Sequence, residues 1–200
     1  GLAKIESGLR EADRGRMHEL TDILRETVQF DGHLAATLQK RLNRVGALNW
    51  GLKPAKGPGV DPDRAEEYQQ YVESRLNQIE DFQSRLTALA WAAWDGRALL
   101  EKHWAFTGGS DTIVGFGWVH PSRLSFGPSR EIRVIDRWRS SSDFADEGFR
   151  PSAYPYKFVE YRPQLLNDYP EREGLGRICA WWSWFQRFST RQRLRLIELY

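Results

Sequence analysis

Three polar side chains near the middle of the sequence have types and spacing that could do chemistry. Glu101 and His103 stand two apart in an alternating stretch, so a strand would carry both on one face, and His120 falls in the next such stretch. A carboxylate beside imidazoles suits proton transfer or metal ligation. A closed zinc site needs three or four ligands, and the chain has one Cys, Cys179, and four His. Polar strand residues facing water account for the trio better. Asp143, Asp146 and Glu147 are too sparse for a calcium loop and read as a solvated loop. Gly115-Phe116-Gly117 and Gly174-Leu175-Gly176 look like pieces of phosphate loops. Neither has the full glycine motif or the Lys-Ser/Thr that would hold a phosphate, and a bulge or tight packing explains both. There is no nucleophile-elbow pentapeptide. The residues predict no catalytic constellation, no metal and no cofactor.

The chemistry that remains is that of contact, and it is concentrated between Glu171 and Tyr200. Trp181, Trp182 and Trp184 sit within four positions, followed by Phe185 and Phe188. Rings of this size bury large areas when they dock. Ile178, Trp181, Trp182, Phe185 and Phe188 recur at helical spacing. This is more apolar bulk than one face of a short helix can bury, so these rings are candidates for a subunit interface. Ser189 with Gln192 fits a capping box, which predicts that a second helix begins there. Arg187, Arg191, Arg193 and Arg195 interleave with this segment. They could track a phosphate backbone or form a solvated, ion-pairing helix face. The chain as a whole carries 29 basic and 27 acidic residues, net +2. That is not the footprint of a dedicated nucleic-acid binder, so the basic character is local.

These features need elements to hold them. The chain is 40% hydrophobic and 28% charged, as in a globular domain, and no apolar run reaches the length of a membrane span. A single cysteine excludes an internal disulfide. Residues 1–15 are charged and weakly apolar and read as a mobile leader; residues 16–200 read as one region. Arg16–Phe30 predicts a helix with Met17, Leu20, Leu24 and Val28 on one face. Asp31 caps a second, with Leu34, Leu38, Leu42 and Val45 as its stripe and Gly46 at its end. Leu48, Trp50 and Leu52 alternate as a strand closed by Pro54. Asp61-Pro62-Asp63 is a strong helix start. The stripe from Tyr68 through Phe82 to Ala93 predicts one long helix from Pro62 to about Trp94, stopped by Asp95-Gly96. The period then changes to two. Leu100–Phe106 and Thr112–His120 predict a hairpin about Gly108-Gly109-Ser110. Shorter strands follow at 121–126, 131–136 and 157–161, with a long polar loop over 139–155. Helices, a small antiparallel sheet, then aromatic-rich helices make an α+β fold. The first residue is not Met, and the sequence stops inside a helical pattern, which reads as a fragment of a longer protein.

The order of these motifs resembles the portal proteins of Mu-like phages and prophages. The matching pieces are Phe30-Asp31-Gly32-His33-Leu34, Leu38-Gln39-Lys40-Arg41 and Val45-Gly46-Ala47-Leu48-Asn49-Trp50. They continue as Ala92-Ala93-Trp94-Asp95-Gly96-Arg97-Ala98, Glu101-Lys102-His103-Trp104 and Trp118-Val119-His120-Pro121-Ser122-Arg123-Leu124-Ser125-Phe126. They end with Gly174-Leu175-Gly176-Arg177 running into Trp181-Trp182-Ser183-Trp184-Phe185 and Phe188. Where the family often has Ser after the long helix, this chain has Arg97-Ala98. The resemblance implies the N-terminal part of a structural, non-enzymatic protein of the virion, assembled in the bacterial cytoplasm. It implies a ring, usually twelvefold, at one capsid vertex. Partners would be other copies of itself, double-stranded DNA contacted without sequence preference, the terminase, and capsid and neck or tail proteins, with no membrane. The residues alone also fit a single-stranded nucleic-acid-binding module built on the Trp/Arg stretch, or an enzyme with an unrecognised site near Glu101, His103 and His120.

Overall fold

A computed structural model describes residues 2–135, 148–166 and 169–199, and within the last helix it leaves out the side chains of 192–194, 196, 198 and 199. The fold is α+β. Helix α1 (Leu2–Asp13) comes first and is followed by α2 (His18–Phe30) and α3 (Gly32–Gly46). Then come α4 (Pro62–Asn77), α5 (Phe82–Ala90) and the single turn α6 (Ala92–Asp95). Strands β1 (Ala98–Thr107) and β2 (Ser110–Val119) form the hairpin; β3 (Leu124–Phe126), β4 (Ile132–Val134) and β5 (Phe158–Tyr161) are short. Helix α7 (Leu175–Leu199) closes the order. The sheet runs β2-β1-β5, antiparallel throughout, and β3 pairs with β4 separately.

Among the described residues two clusters make the core. The larger joins α1, α2, the start of β1, β3, β4 and α7 through Ile5, Leu20, Leu24, Leu99, Phe126 and Ala180. The smaller lies under α5, where Phe82, Leu76 and Leu89 pack on Ile79, Leu100 and Phe116. The leader segment contributes directly: Ile5, Gly8 and Ala12 of α1 are buried.

Four sequence expectations change. The long helix from Pro62 to Trp94 is three pieces, interrupted at Trp91 and broken over Gln78–Asp81, where Asp81 has φ 60. Asp tolerates that left-handed conformation better than most residues, so no Gly or Pro marks the break. Leu48–Leu52 is not a strand. Gln83 Nε2 donates to the carbonyls of Gly46 and Leu48 at 2.8 and 3.1 Å, and Trp50 meets the edge of Phe82 at 4.9 Å between centroids, so a side chain takes the place of a partner strand. The helix expected to restart at Ser189 is continuous with the one before it: Thr190 Oγ1 donates to Gln186 O, a bond made inside a helix rather than at its cap. The stretch 121–126 is strand only over Leu124–Phe126, after a 3-10 turn at Pro121–Arg123. Most of the 139–155 loop lies outside the described residues, as do Asp143, Asp146 and Glu147.

Candidate interaction surface on the C-terminal helix

Helix α7 is docked through its smallest side chains. Gly176, Ala180 and Ser183 are buried at positions i, i+4 and i+7, and one turn further on Arg187 donates to Thr27 O at 3.3 Å. A Cβ added to Gly176 would fall 2.8 Å from Trp94 O and 2.9 Å from Leu24 Cδ1, so only glycine lets α7 approach this closely. Just before it, Gly174 (φ 103) faces Gly96 (φ 78), and a Cβ on either would strike backbone on the opposite side. Ser183 Oγ donates to Asp31 Oδ2 at 3.2 Å, while Asp31 Oδ1 accepts from Leu34 N as the cap of α3. Arg177 pairs with Asp13 at 2.7 Å and ties α7 to α1.

The turn that receives α7 is held by a buried charge cluster. Arg97, 1% exposed, donates to Asp95 O, Thr21 Oγ1, Pro121 O and Leu124 O at 2.8–3.3 Å. Arg25 pairs with Asp95 Oδ2 at 2.6 Å and lies 4.4 Å over the ring of Trp91. Burial pushes the Asp95 carboxyl up to about 6, against the pull of Arg25 and Arg97. Burial also brings the Arg97 guanidinium down to about 10, opposed by Asp95. The cluster ties α2, α6, the 121–124 turn and the start of β1 together. The sequence alone assigns Arg97 no role. Its signal is a pair of opposite charges, Asp95 and Arg97, between Trp94 and the apolar run Ala98-Leu99-Leu100, a setting that calls for buried partners.

Small residues take the inner face of α7, and the large ones are turned sideways and outward. Trp181 and Trp184 are half-buried and pack on the edge of the larger core. Phe185 meets both edge-on at 5.4 and 5.2 Å, and Trp184 stacks on Phe188 at 5.4 Å. Trp182 is 68% exposed, Phe188 50% and Phe185 43%. Exposed Ile178, Trp182 and Phe185 form a second i, i+4, i+7 stripe on the solvent side. Phe30, which sequence reading did not single out as a contact residue, adds an exposed ring at the end of α2, with the Arg187 guanidinium 5.3 Å over it. Arg187 therefore points at α2. Arg191 and Arg195 are exposed, and the Arg193 side chain lies outside the described residues. Arg191, Phe30, Trp184 and Phe188 line an open groove of about 730 Å³ between α7 and the α2–α3 junction.

The central polar trio is dispersed among other partners. Glu101 pairs with Lys157 at 3.0 Å. The His103 ring covers Gly117, whose added Cβ would lie 2.9 Å from Nε2. His120 Nδ1 is 2.7 Å from Ser122 Oγ, and its ring meets Trp118 edge-on. Among the described residues no three His, Cys, Asp or Glu are placed to hold a metal, and no helix is long and apolar enough to cross a membrane.

A broad apolar face with exposed arginines beside it runs along α7. Residues 21–200 match the family described as portal protein of Mu bacteriophage, and the chain belongs to that family. It is 24% identical over 198 residues to the portal protein of Escherichia phage Mu, covering 96% of this chain and 36% of the relative. It is likewise 24% identical over 200 residues to the Mu-like prophage FluMu protein gp29 of Haemophilus influenzae, covering 99% of this chain and 36% of that relative. The chain thus spans about a third of the length of these curated relatives.

Proposed function

We propose that this chain is the part of a phage portal subunit that supplies subunit-contact surface, in a ring at the capsid vertex through which DNA enters and leaves the head. The role is structural: the ring is a conduit, and the work of packaging belongs to a separate terminase. Its site is the virion, reached through assembly in the bacterial cytoplasm, and capsid and neck or tail proteins dock on the finished ring. The observation that carries the reading is the outer stripe of α7. Ile178, Trp182, Phe185 and Phe188 are large, apolar and 43–68% exposed, in a chain whose family is that of portals. A contiguous apolar face of this kind marks an interface. A contact between unlike faces of neighbouring copies closes into a ring when the rotation permits. Arg191 and Arg195 sit beyond the stripe, at a subunit border or toward the DNA path, where unspecific phosphate contact needs only local positive charge.

The test is made on the protein at its full natural length. Trp182 is mostly solvent-exposed, so Trp182→Asp should leave the melting temperature within a degree or two while lowering the ring fraction at least tenfold in sedimentation and electron microscopy. Normal rings from this variant would remove α7 from the interface. Substituting Trp181 and Trp184 would be less informative, because both pack on the core edge and their loss would also weaken the monomer.

A further inference from the structure

The β1–β2 hairpin outruns its sheet. β5 pairs only with Ala98–Glu101 of β1; beyond it Lys102 N donates to Lys157 O, and the Trp104 indole Nε1 donates to Tyr156 O at 2.8 Å. From His103↔Gly115 to Thr107↔Ser110 the two strands continue together without a third among the described residues. A two-stranded ribbon by itself is marginal in water. This one also carries Trp104 and Phe106, two positions apart and so on one face, at 46% and 75% exposure. A Phe that exposed contributes nothing to the core of its own chain.

A concavity of fitting character lies elsewhere on the surface. Leu52, Val60, Ala65, Tyr68 and Val72 line an open groove of about 510 Å³ between the 52–60 segment and α4, and no hairpin residue takes part in it. Lys53 and Arg64 stand on the same groove. Its acid, Asp61, is engaged as the cap of α4, accepting from Asp63 N at 3.0 Å. On the hairpin, the cross-strand neighbour of Phe106 is Asp111, the one carboxylate in residues 102–115. An apolar knob with a carboxylate beside it thus faces, in chemistry, an apolar groove with two cations beside it.

We propose that the hairpin tip, Trp104 and Phe106, seats in the α4 groove of a second copy of this chain, with Asp111 toward Lys53 and Arg64. Knob and groove are different surfaces, so the contact is head-to-tail and repeats until a ring closes. It rests on the ring reading above and adds a second contact, made by elements other than α7.

The test uses the protein at full natural length, with Cys179 and any other cysteine replaced by Ser. Phe106→Cys with Val72→Cys, mildly oxidised, should give a ladder of covalent multimers on a non-reducing gel, and neither single variant should. Asp111→Lys should lower the ring fraction about tenfold without moving the melting temperature, and Arg64→Glu added to it should restore rings. If rings are seen by microscopy but the disulfide forms only within one chain or not at all, or the charge exchange restores nothing, the hairpin contact is wrong and the ring reading stands. If the unaltered protein makes no rings, both fall.

Discussion

Helices α2 and α4 are of similar length and opposite fate. α2 (His18–Phe30) buries Leu20, Thr21, Ile23, Leu24 and Thr27, while α4 (Pro62–Asn77) buries only Ala65. Local sequence favours α4 as the better helix. It has an Asp cap, Pro at its first position and acid in its first turn, whereas α2 has no side-chain cap at all. Helix formation and burial are therefore decided separately. Capping and propensity write α4, whereas α2 exists because its apolar face meets α1, α7 and a buried guanidinium. An isolated helix of about 15 residues is marginal in water, so a bare one such as α4 leaves Tyr68, Tyr71 and Val72 open to a partner.

That contrast can be broken at its strong side first. Arg97→Ala removes the cation that ties Thr21 of α2 to the carbonyls of Pro121 and Leu124, takes one donor from each of those oxygens, and leaves the buried Asp95 with Arg25 alone. A loss of about 3–5 kcal/mol is expected, read by denaturant unfolding. A loss under about 1 kcal/mol would mean that the cluster does not hold α2 in place.

The burial of Asp95, the carboxylate that Arg25 of α2 pairs with, should show in the pH profile. The Asp95 carboxyl is pushed up to about 6 in the fold, against 3.8 for an unperturbed aspartate. Between those values the folded state binds the extra proton, so this group's contribution to stability is greatest below pH about 4, falls as pH rises to about 6, and is flat above. Its size is on the order of 2–3 kcal/mol. Asp95→Asn should flatten that segment of the profile, and an unaltered slope between pH about 4 and about 6 would assign it to another group.

The smallest effect is expected on α4. Asp61→Ala removes the bond to Asp63 N and should cost about 1 kcal/mol of local helix stability. Hydrogen exchange should quicken within α4 while α2 keeps its protection. If α2 exchanges faster as well, the two helices are one cooperative unit and the contrast between them dissolves.

What was legible in the sequence follows the same division. Caps and turns are local chemistry, and they were readable: Asp31 and Asp61 accept from Leu34 N and Asp63 N, and Gly108 and Gly109, with φ 63 and 84, turn the hairpin. Breaks made by tertiary contact were not. Gln78-Ile79-Glu80-Asp81 reads as uninterrupted helix, yet Ile79 turns into the smaller core. In α7 the large residues drew attention as a candidate subunit interface, and nothing marked Gly176, Ala180 and Ser183 as the docking face, which close approach to α2 and α6 restricts to small size. The aromatic segment was visible as a candidate contact, but its division into half-buried Trp181 and Trp184 and outward Trp182 and Phe185 depends on where α2 lies. Nothing local could reveal that.

The placement of the small residues in α7 has a mechanical consequence. The glycine seat and its bonds to α1 and α2 act between Gly174 and Arg187. At about 1.5 Å per residue, the remaining stretch to Leu199 is roughly 18 Å of helix beyond the Arg187 bond. A tilt of about 10° at the seat would carry the far end about 3 Å. Because the seat abuts the turn that Asp95 and Arg97 hold, a slight repacking there would be magnified along the shaft. The helix is thus a lever with its fulcrum in the core.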